Sequence, residues 1–179
     1  MPRNIEIKAR ITSIEALLPR AQALAGATAE IIDQDDSFFS VPHGRLKLRQ
    51  FADGSAELIH YHRPDSGDAK ASDYVRVPVA DPAALREALA RGCGLQGRVL
   101  KRRWLCIVGA TRIHLDRVQG LGDFMELEVV LRDGQSDAEG RAIAESLMRD
   151  LGLAGADRLG GSYLDQAASA AGIAAARKS

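Results

Sequence analysis

Aromatic side chains are scarce in this chain: four Phe, three Tyr and one Trp in 179 residues, 4% of the total. Proteins that grip single-stranded nucleic acid stack bases on such rings, so a stacking platform is not expected. Charge of one sign is also lacking, with 24 basic and 24 acidic side chains and a formal net charge of zero. A surface that binds nucleic acid usually shows a basic excess, so no nucleic-acid partner is expected. The two cysteines, Cys93 and Cys106, sit in no C-x-x-C pattern. Two thiols make no disulfide framework, and reduced thiols are the plain expectation. No apolar run approaches the roughly 20 residues a bilayer-spanning helix needs. The opening MPRNIEIKAR has no apolar signal region. A cytoplasmic location with no membrane partner is therefore expected. There is no Walker A loop and no G-x-G-x-x-G, so phosphate is not held here by a glycine loop at a helix terminus.

What is present is the ordinary balance of a folded domain, 46% apolar and 27% charged. The length fits one domain, expected over residues 1–165. An Ala-rich tail over 166–179 is expected to be disordered. NIEIKARI alternates apolar and polar residues as a strand does. Ser13 caps a helix that stops at Gly26, with Pro19 kinking it or delaying its start. Two extended pieces flank a turn at Pro42-His43-Gly44, and Asp53-Gly54 closes a hairpin onto AELIHYHRP. Residues 65–72 read as a loop and YVRVPV as a short strand. Asp81-Pro82 opens a helix that Gly92 ends. VLKRRWLCIV and TRIHLDRV pair around Gly109-Ala110, and FMELEVVL follows the Gly120-Leu121-Gly122 turn. Ser136 and Glu139 form a capping box for a third helix, closed by Gly152. The expectation is about eight antiparallel strands and three helices, an α+β fold.

The polar faces of these strands are charged. Side chains alternate with period two, so Asn4, Glu6 and Lys8 share a face. So do Lys47 and Arg49; Lys101 and Arg103; Arg112, His114 and Asp116; and Glu126 and Glu128. A solvated outer face of a half-buried sheet is the bland explanation, and charged faces do discourage aggregation. Yet solvated faces usually mix Thr, Ser and Gln with Lys, and here five strands carry almost only formal charges. A closed barrel with helices outside and charges inside is the other solution. Confined charges must be paired. A wet cavity holding cations and carboxylates fits a polyanion such as a triphosphate, gripped by Lys and Arg. Carboxylates at one end would repel it unless Mg²⁺ or Mn²⁺ bridges the two.

These residues, in this order, resemble the CYTH superfamily, the triphosphate tunnel metalloenzymes. That group includes class IV adenylyl cyclases, thiamine triphosphatases and inorganic tripolyphosphatases. Its opening ExExK strand stands here as Asn4-Ile5-Glu6-Ile7-Lys8. Its Q-x-D-x-x-F element stands as Gln34 to Phe39, and its basic strand as Leu46-Lys47-Leu48-Arg49. Lys101-Arg102-Arg103, Ile113-His114-Leu115-Asp116, and the G-L-G-x-F-x-E-x-E run from Gly120 to Glu128 complete the set. The resemblance spans roughly residues 4 to 165. It implies an eight-stranded antiparallel β-barrel, the triphosphate tunnel, with helices packed outside. It also implies a metal-dependent enzyme acting on ATP, thiamine triphosphate or tripolyphosphate, and it allows a homodimer. Glu6, Glu126 and Glu128 would hold Mg²⁺ or Mn²⁺ with Asp116 in support. Glu6, Lys8, Glu126 and Glu128 would carry catalysis. Lys8, Lys47, Arg49, Lys101 and Arg103 would bind the phosphates.

Two positions depart from the pattern. Asn4 replaces the first acid of ExExK and brings an amide oxygen without charge. Where relatives carry a lysine near the end of the fourth strand, this chain has His62 and then Arg63, and one of them is expected at the phosphates. Arg76 is a further phosphate candidate on the face of Tyr74. The named enzyme resemblance is to class IV adenylyl cyclase; a triphosphatase and a non-catalytic polyphosphate or nucleotide binder are the alternatives. His60 and His62 alternate onto one face, but no third ligand lies near for a zinc site. Tyr163 is read as packing, with a place at the barrel mouth as the alternative.

Overall fold

Alternation of apolar and charged residues becomes a barrel turned inside out. The computed structural model describes residues 3–62, 70–160 and 162–167. Its elements are β1 (Arg3–Arg10), α1 (Ile14–Ala25), β2 (Glu30–Phe39), β3 (Arg45–Phe51), β4 (Ala56–His62), β5 (Lys70–Pro78), α2 (Pro82–Cys93), β6 (Leu95–Val108), β7 (Thr111–Val118), β8 (Gly122–Val130) and α3 (Asp137–Asp150). Every pairing is antiparallel. The strand order is β1-β5-β4-β3-β2-β6-β7-β8, and β8 pairs back onto β1 to close the sheet. Closure gives every described strand a hydrogen-bonded neighbour on both sides. The expected α+β barrel with helices outside is the observed fold.

Capping residues set the helices. Ser13 accepts from Ala16 N, Asp81 accepts from Ala84 N with Pro82 in the first turn, and Ser136 and Glu139 form the full capping box. Helix α1 starts directly after Ser13, as that cap predicts, and carries Pro19 within it. Elsewhere boundaries differ from expectation. Helix α2 passes through Gly92 to Cys93, and the chain turns at Gly94, whose φ of 85° suits glycine. Strand β5 begins at Lys70, inside the stretch read as loop, because pairing with β1 draws it into the sheet. Strand β6 begins at Leu95, extended by its long pairing with β2. Sheet pairing overrode weak local preference in both strands.

The main core lies between the outer face of the barrel and the helices. Ile5, Ile7 and Ala9 of β1, Ile113 and Leu115 of β7, and Met125, Leu127 and Val129 of β8 pack with Leu17 and Ala21 of α1 and with Ala144, Leu147 and Met148 of α3. A second cluster joins Phe39 and Leu48 to Leu85 and Leu89 of α2. Since the outward positions carry the apolar residues, period two sends the charged ones into the lumen.

Helix α3 comes close to β1 at Gly140. A Cβ there would stand 2.5 Å from Leu131 Cδ2 and 2.7 Å from Ile5 Cγ1. Gly140→Ala gains helix propensity but overpacks this contact, so a net loss of roughly 1–2 kcal/mol is expected. Urea unfolding followed by circular dichroism measures it; a gain in stability would show that α3 sits less tightly than described.

Candidate functional site

The inward faces line a cavity of about 350 Å³. Strand β1 supplies Asn4, Glu6 and Lys8; β3 supplies Lys47 and Arg49; β5 supplies Arg76; β6 supplies Lys101 and Arg103; β7 supplies Arg112 and His114; and β8 supplies Glu126 and Glu128. Nine of the side chains expected at the site converge there: Glu6, Lys8, Lys47, Arg49, Arg76, Lys101, Arg103, Glu126 and Glu128. Among the described lining residues seven are Lys or Arg and five are Asp or Glu, so the surplus has the sign an anion needs.

Two buried aspartates organise the cations. Asp36, 2% exposed, accepts Lys47 Nζ at 3.0 Å, Arg49 Nε at 2.7 Å and Arg49 Nη2 at 2.8 Å. Asp116, fully buried, takes both ends of the Arg103 fork at 2.6 Å and the Tyr163 hydroxyl at 2.8 Å. Lys101 lies between them, 4.0 Å from Asp36 and 3.7 Å from Asp116. Burial pushes both carboxyls up, but the cations overcome it and hold both well below the usual carboxylate range: Arg49 and Lys47 for Asp36, Arg103 and Lys101 for Asp116. The lysines move the other way. Burial, then Arg49, brings Lys47 down to about 8, and burial with Arg103 pulls Lys101 well below its ordinary value.

On the facing wall the carboxylates gather. In the β1–β8 register Glu6 stands opposite Glu128 and Lys8 opposite Glu126. In the β7–β8 register Arg112 faces Glu128 and His114 faces Glu126. Glu126 meets Arg103 at 3.2 Å and Lys8 at 3.6 Å, while Glu128 accepts Arg112 at 3.0 Å and Asn4 Nδ2 at 2.6 Å. Burial raises the Glu126 carboxyl, but Lys8 above all brings it well below its ordinary value. Buried His114 is 3.8 Å from Glu126 and 3.9 Å from Glu128. Burial and Arg103 lower its pKa, so the ring is neutral at physiological pH.

This wall fits a hard divalent cation by its donor chemistry. Its donors are carboxylate oxygens, and the buried Asn4 Oδ1 has no hydrogen-bond partner, as an amide oxygen waiting for a cation would. Among the described residues no three His, Cys, Asp or Glu side chains are already collected around one point. The carboxylates are instead held by the chain's own cations.

Two expectations are corrected. His62 is exposed and absent from the cavity lining, because Glu57, Ile59 and Tyr61 take the inward positions of β4 and period two turns His60 and His62 outward. Asp116 does not line the cavity; it lies behind Arg103 with its oxygens occupied, so it anchors a cation and does not face a metal. Arg63 lies outside the described residues. Asp36 was missed as a site residue, although its phase with Gln34 and Phe38 in β2 put it on the inward face. Tyr163 was also undervalued, because nothing local indicates that a residue so far along the chain enters the barrel.

The model of the CYTH domain family matches residues 2–163. The adenylate cyclase CyaB of Aeromonas hydrophila is 27% identical over 167 residues, covering 86% of this chain and 82% of that protein. The solved structure of the PH1012 protein from Pyrococcus horikoshii superposes with a TM-score of 0.79 at 28% identity, over 90% of this chain and 98% of that one. A conserved hypothetical protein from Pyrococcus furiosus superposes with a TM-score of 0.80 at 24% identity, over 90% and 98%.

Replacing Asp116 by Asn would leave Arg103 buried with Glu126 as its remaining carboxylate. A loss of roughly 3 kcal/mol is expected from breaking the pair. The double change Arg103→Met with Asp116→Leu should recover most of that stability, since no buried charge is left alone. Denaturant titration of the three variants checks both; equal stability of Asp116→Asn and the parent chain would refute the anchoring role.

Proposed function

The chain belongs to the CYTH domain family, and from that premise we propose that it is a divalent-metal-dependent adenylate cyclase, converting ATP to cyclic AMP and pyrophosphate. The observation that carries this reading is the sorting of charge in the cavity. Lys47, Arg49, Lys101 and Arg103 stand around Asp36 and Asp116, and Glu6, Glu126 and Glu128 lie on the wall formed by β1 and β8. The similarity to an adenylate cyclase from Aeromonas hydrophila supports the choice of reaction.

The cations would bind the triphosphate oxygens and balance charge on the leaving pyrophosphate. Mg²⁺ or Mn²⁺ held by Glu6, Glu126, Glu128 and the amide oxygen of Asn4 would supply Lewis-acid neutralisation of the phosphate oxygens. Arg112 and Lys8 would then be released from the glutamates to meet phosphate. The ribose 3′-oxygen attacks the α-phosphorus, the bond from that phosphorus to the α–β bridging oxygen breaks, and the hydroxyl proton leaves to solvent. A water attacking the terminal phosphorus in the same cavity would make the chain a triphosphatase of thiamine triphosphate or tripolyphosphate. The sorting of charge serves that second reading equally, because both reactions set phosphate oxygens against the cations beside a divalent metal.

Incubating purified protein with ATP, thiamine triphosphate or tripolyphosphate, with Mg²⁺ or Mn²⁺, separates these. Cyclic AMP with equimolar pyrophosphate is the expected product; inorganic phosphate without cyclic AMP would replace the cyclase by a triphosphatase. No turnover and no binding would overturn the polyphosphate reading.

The affinity for tripolyphosphate should also depend on pH. Lys47 carries its proton below about 8 and loses it above, so a positive charge disappears from the empty cavity as pH rises. A bound polyanion keeps that proton in place, and affinity should fall about tenfold from pH 7 to pH 9. Calorimetry across that range checks it, and Lys47→Met should show a shallower slope; identical slopes would remove Lys47 from the site.

A further inference from the structure

We propose that Tyr163 is a positioning residue of the polyphosphate site, its ring face aiming Lys8 and Lys101 into the cavity. This rests on the polyphosphate reading of that cavity. Tyr163 comes from the chain beyond the last long helix, yet it is 5% exposed and lines the cavity with Ser162. Lys8 Nζ lies 4.2 Å from its ring centroid and Lys101 Nζ lies 5.1 Å from it. The two lysines come from β1 and β6, so a single ring gathers cations from separate strands.

The ring is held at its hydroxyl and by a neighbouring ring. Its hydroxyl donates to Asp116 at 2.8 Å, and Phe124 packs against it tilted by 57°, with centroids 5.0 Å apart. The segment that carries it is tied to the barrel. Leu159 N donates to Lys8 O at 2.8 Å, beside one of the lysines the ring holds. Arg45 of β3 donates to Asp165 at 2.7 Å, and Ser162 N donates to the same carboxylate at 2.6 Å.

The choice of a ring has a consequence for charge. A carboxylate in that place would hold two lysines by neutralising them. An aromatic face attracts cations through its quadrupole and adds no net charge. The ring therefore adds no further anion to those already beside the lysines, Glu126 for Lys8 and Asp36 and Asp116 for Lys101, and the cavity keeps its surplus of cations for an incoming anion. Burial and Asp116 raise the Tyr163 hydroxyl well above its ordinary value, so it stays a neutral donor.

Two variants separate the ring from the hydroxyl. Tyr163→Phe keeps the ring and loses the bond to Asp116; Tyr163→Leu keeps bulk and loses the ring. The first measurement needs no ligand: NMR of ¹³Cε-labelled lysine in the full chain, folding being verified by circular dichroism. Upfield ring-current shifts of Lys8 and Lys101 are expected in the parent chain and in Tyr163→Phe, and their loss in Tyr163→Leu. The second is tripolyphosphate binding by calorimetry. A weakening of roughly tenfold is expected in Tyr163→Leu and of less than about threefold in Tyr163→Phe. Equal weakening in the two variants, or lysine shifts unchanged in Tyr163→Leu, would overturn the proposal. A parent chain that binds no tripolyphosphate would overturn the polyphosphate reading instead, and the lysine shifts would still decide whether the ring holds the lysines.

Discussion

Cations confined inside a closed barrel must have counter-charge, and the structure depends on how that is arranged. Among the described residues seven Lys and Arg side chains line one cavity, and Lys8, Lys47, Arg49, Lys101 and Arg103 have little contact with solvent. Without partners these five would carry a heavy desolvation cost. Asp36 and Asp116 meet it from the inner wall and from behind it, each gripping an arginine by both ends of its fork. Neither aspartate is open to solvent, so both serve as fixed anions that make the cation wall possible. They leave the wall short of full neutralisation, and the remaining positive potential is what a polyanion would complete.

The inverted barrel follows from the same requirement. Charged residues occupy the lumen because the apolar ones are needed outside, where α1 and α3 cover β1, β7 and β8, and α2 covers Phe39 and Leu48. Glycine at position 140 lets α3 settle against Ile5 without a side chain between them. Packing outside and charge inside are therefore one pattern read from two faces. A change that disturbs the helices would also disturb the spacing of the cations.

The β1–β8 wall has a different logic. Glu126 and Glu128 are held by Lys8, Arg103, Arg112 and Asn4, and His114 sits neutral beside them. These partners can exchange: a cation binding the carboxylates would release Lys8 and Arg112 toward an anion. Asn4 brings one hydrogen bond and one unpartnered oxygen where an acid would bring a further negative charge. The wall is thus less acidic than one built on a first glutamate.

Much of this was legible in the residues alone. Period-two alternation in NIEIKARI, RLKLRQF and FMELEVVL determined which side chains share a face, and the sign of those faces determined that cations and carboxylates meet in one enclosure. Capping residues marked all three helix starts, because a cap is a local hydrogen bond. Only the tertiary structure decided what depends on register and closure. It turned His62 outward, since Tyr61 takes the inward position of β4. It drew Lys70 and Leu95 into strands that local preference left open, because their hydrogen bonds come from strands distant in sequence. It placed Asp116 behind Arg103, since a shared face fixes direction but not depth. It brought Tyr163 beneath two lysines on separate strands, a meeting that no local pattern encodes because the three residues become neighbours only when the barrel closes.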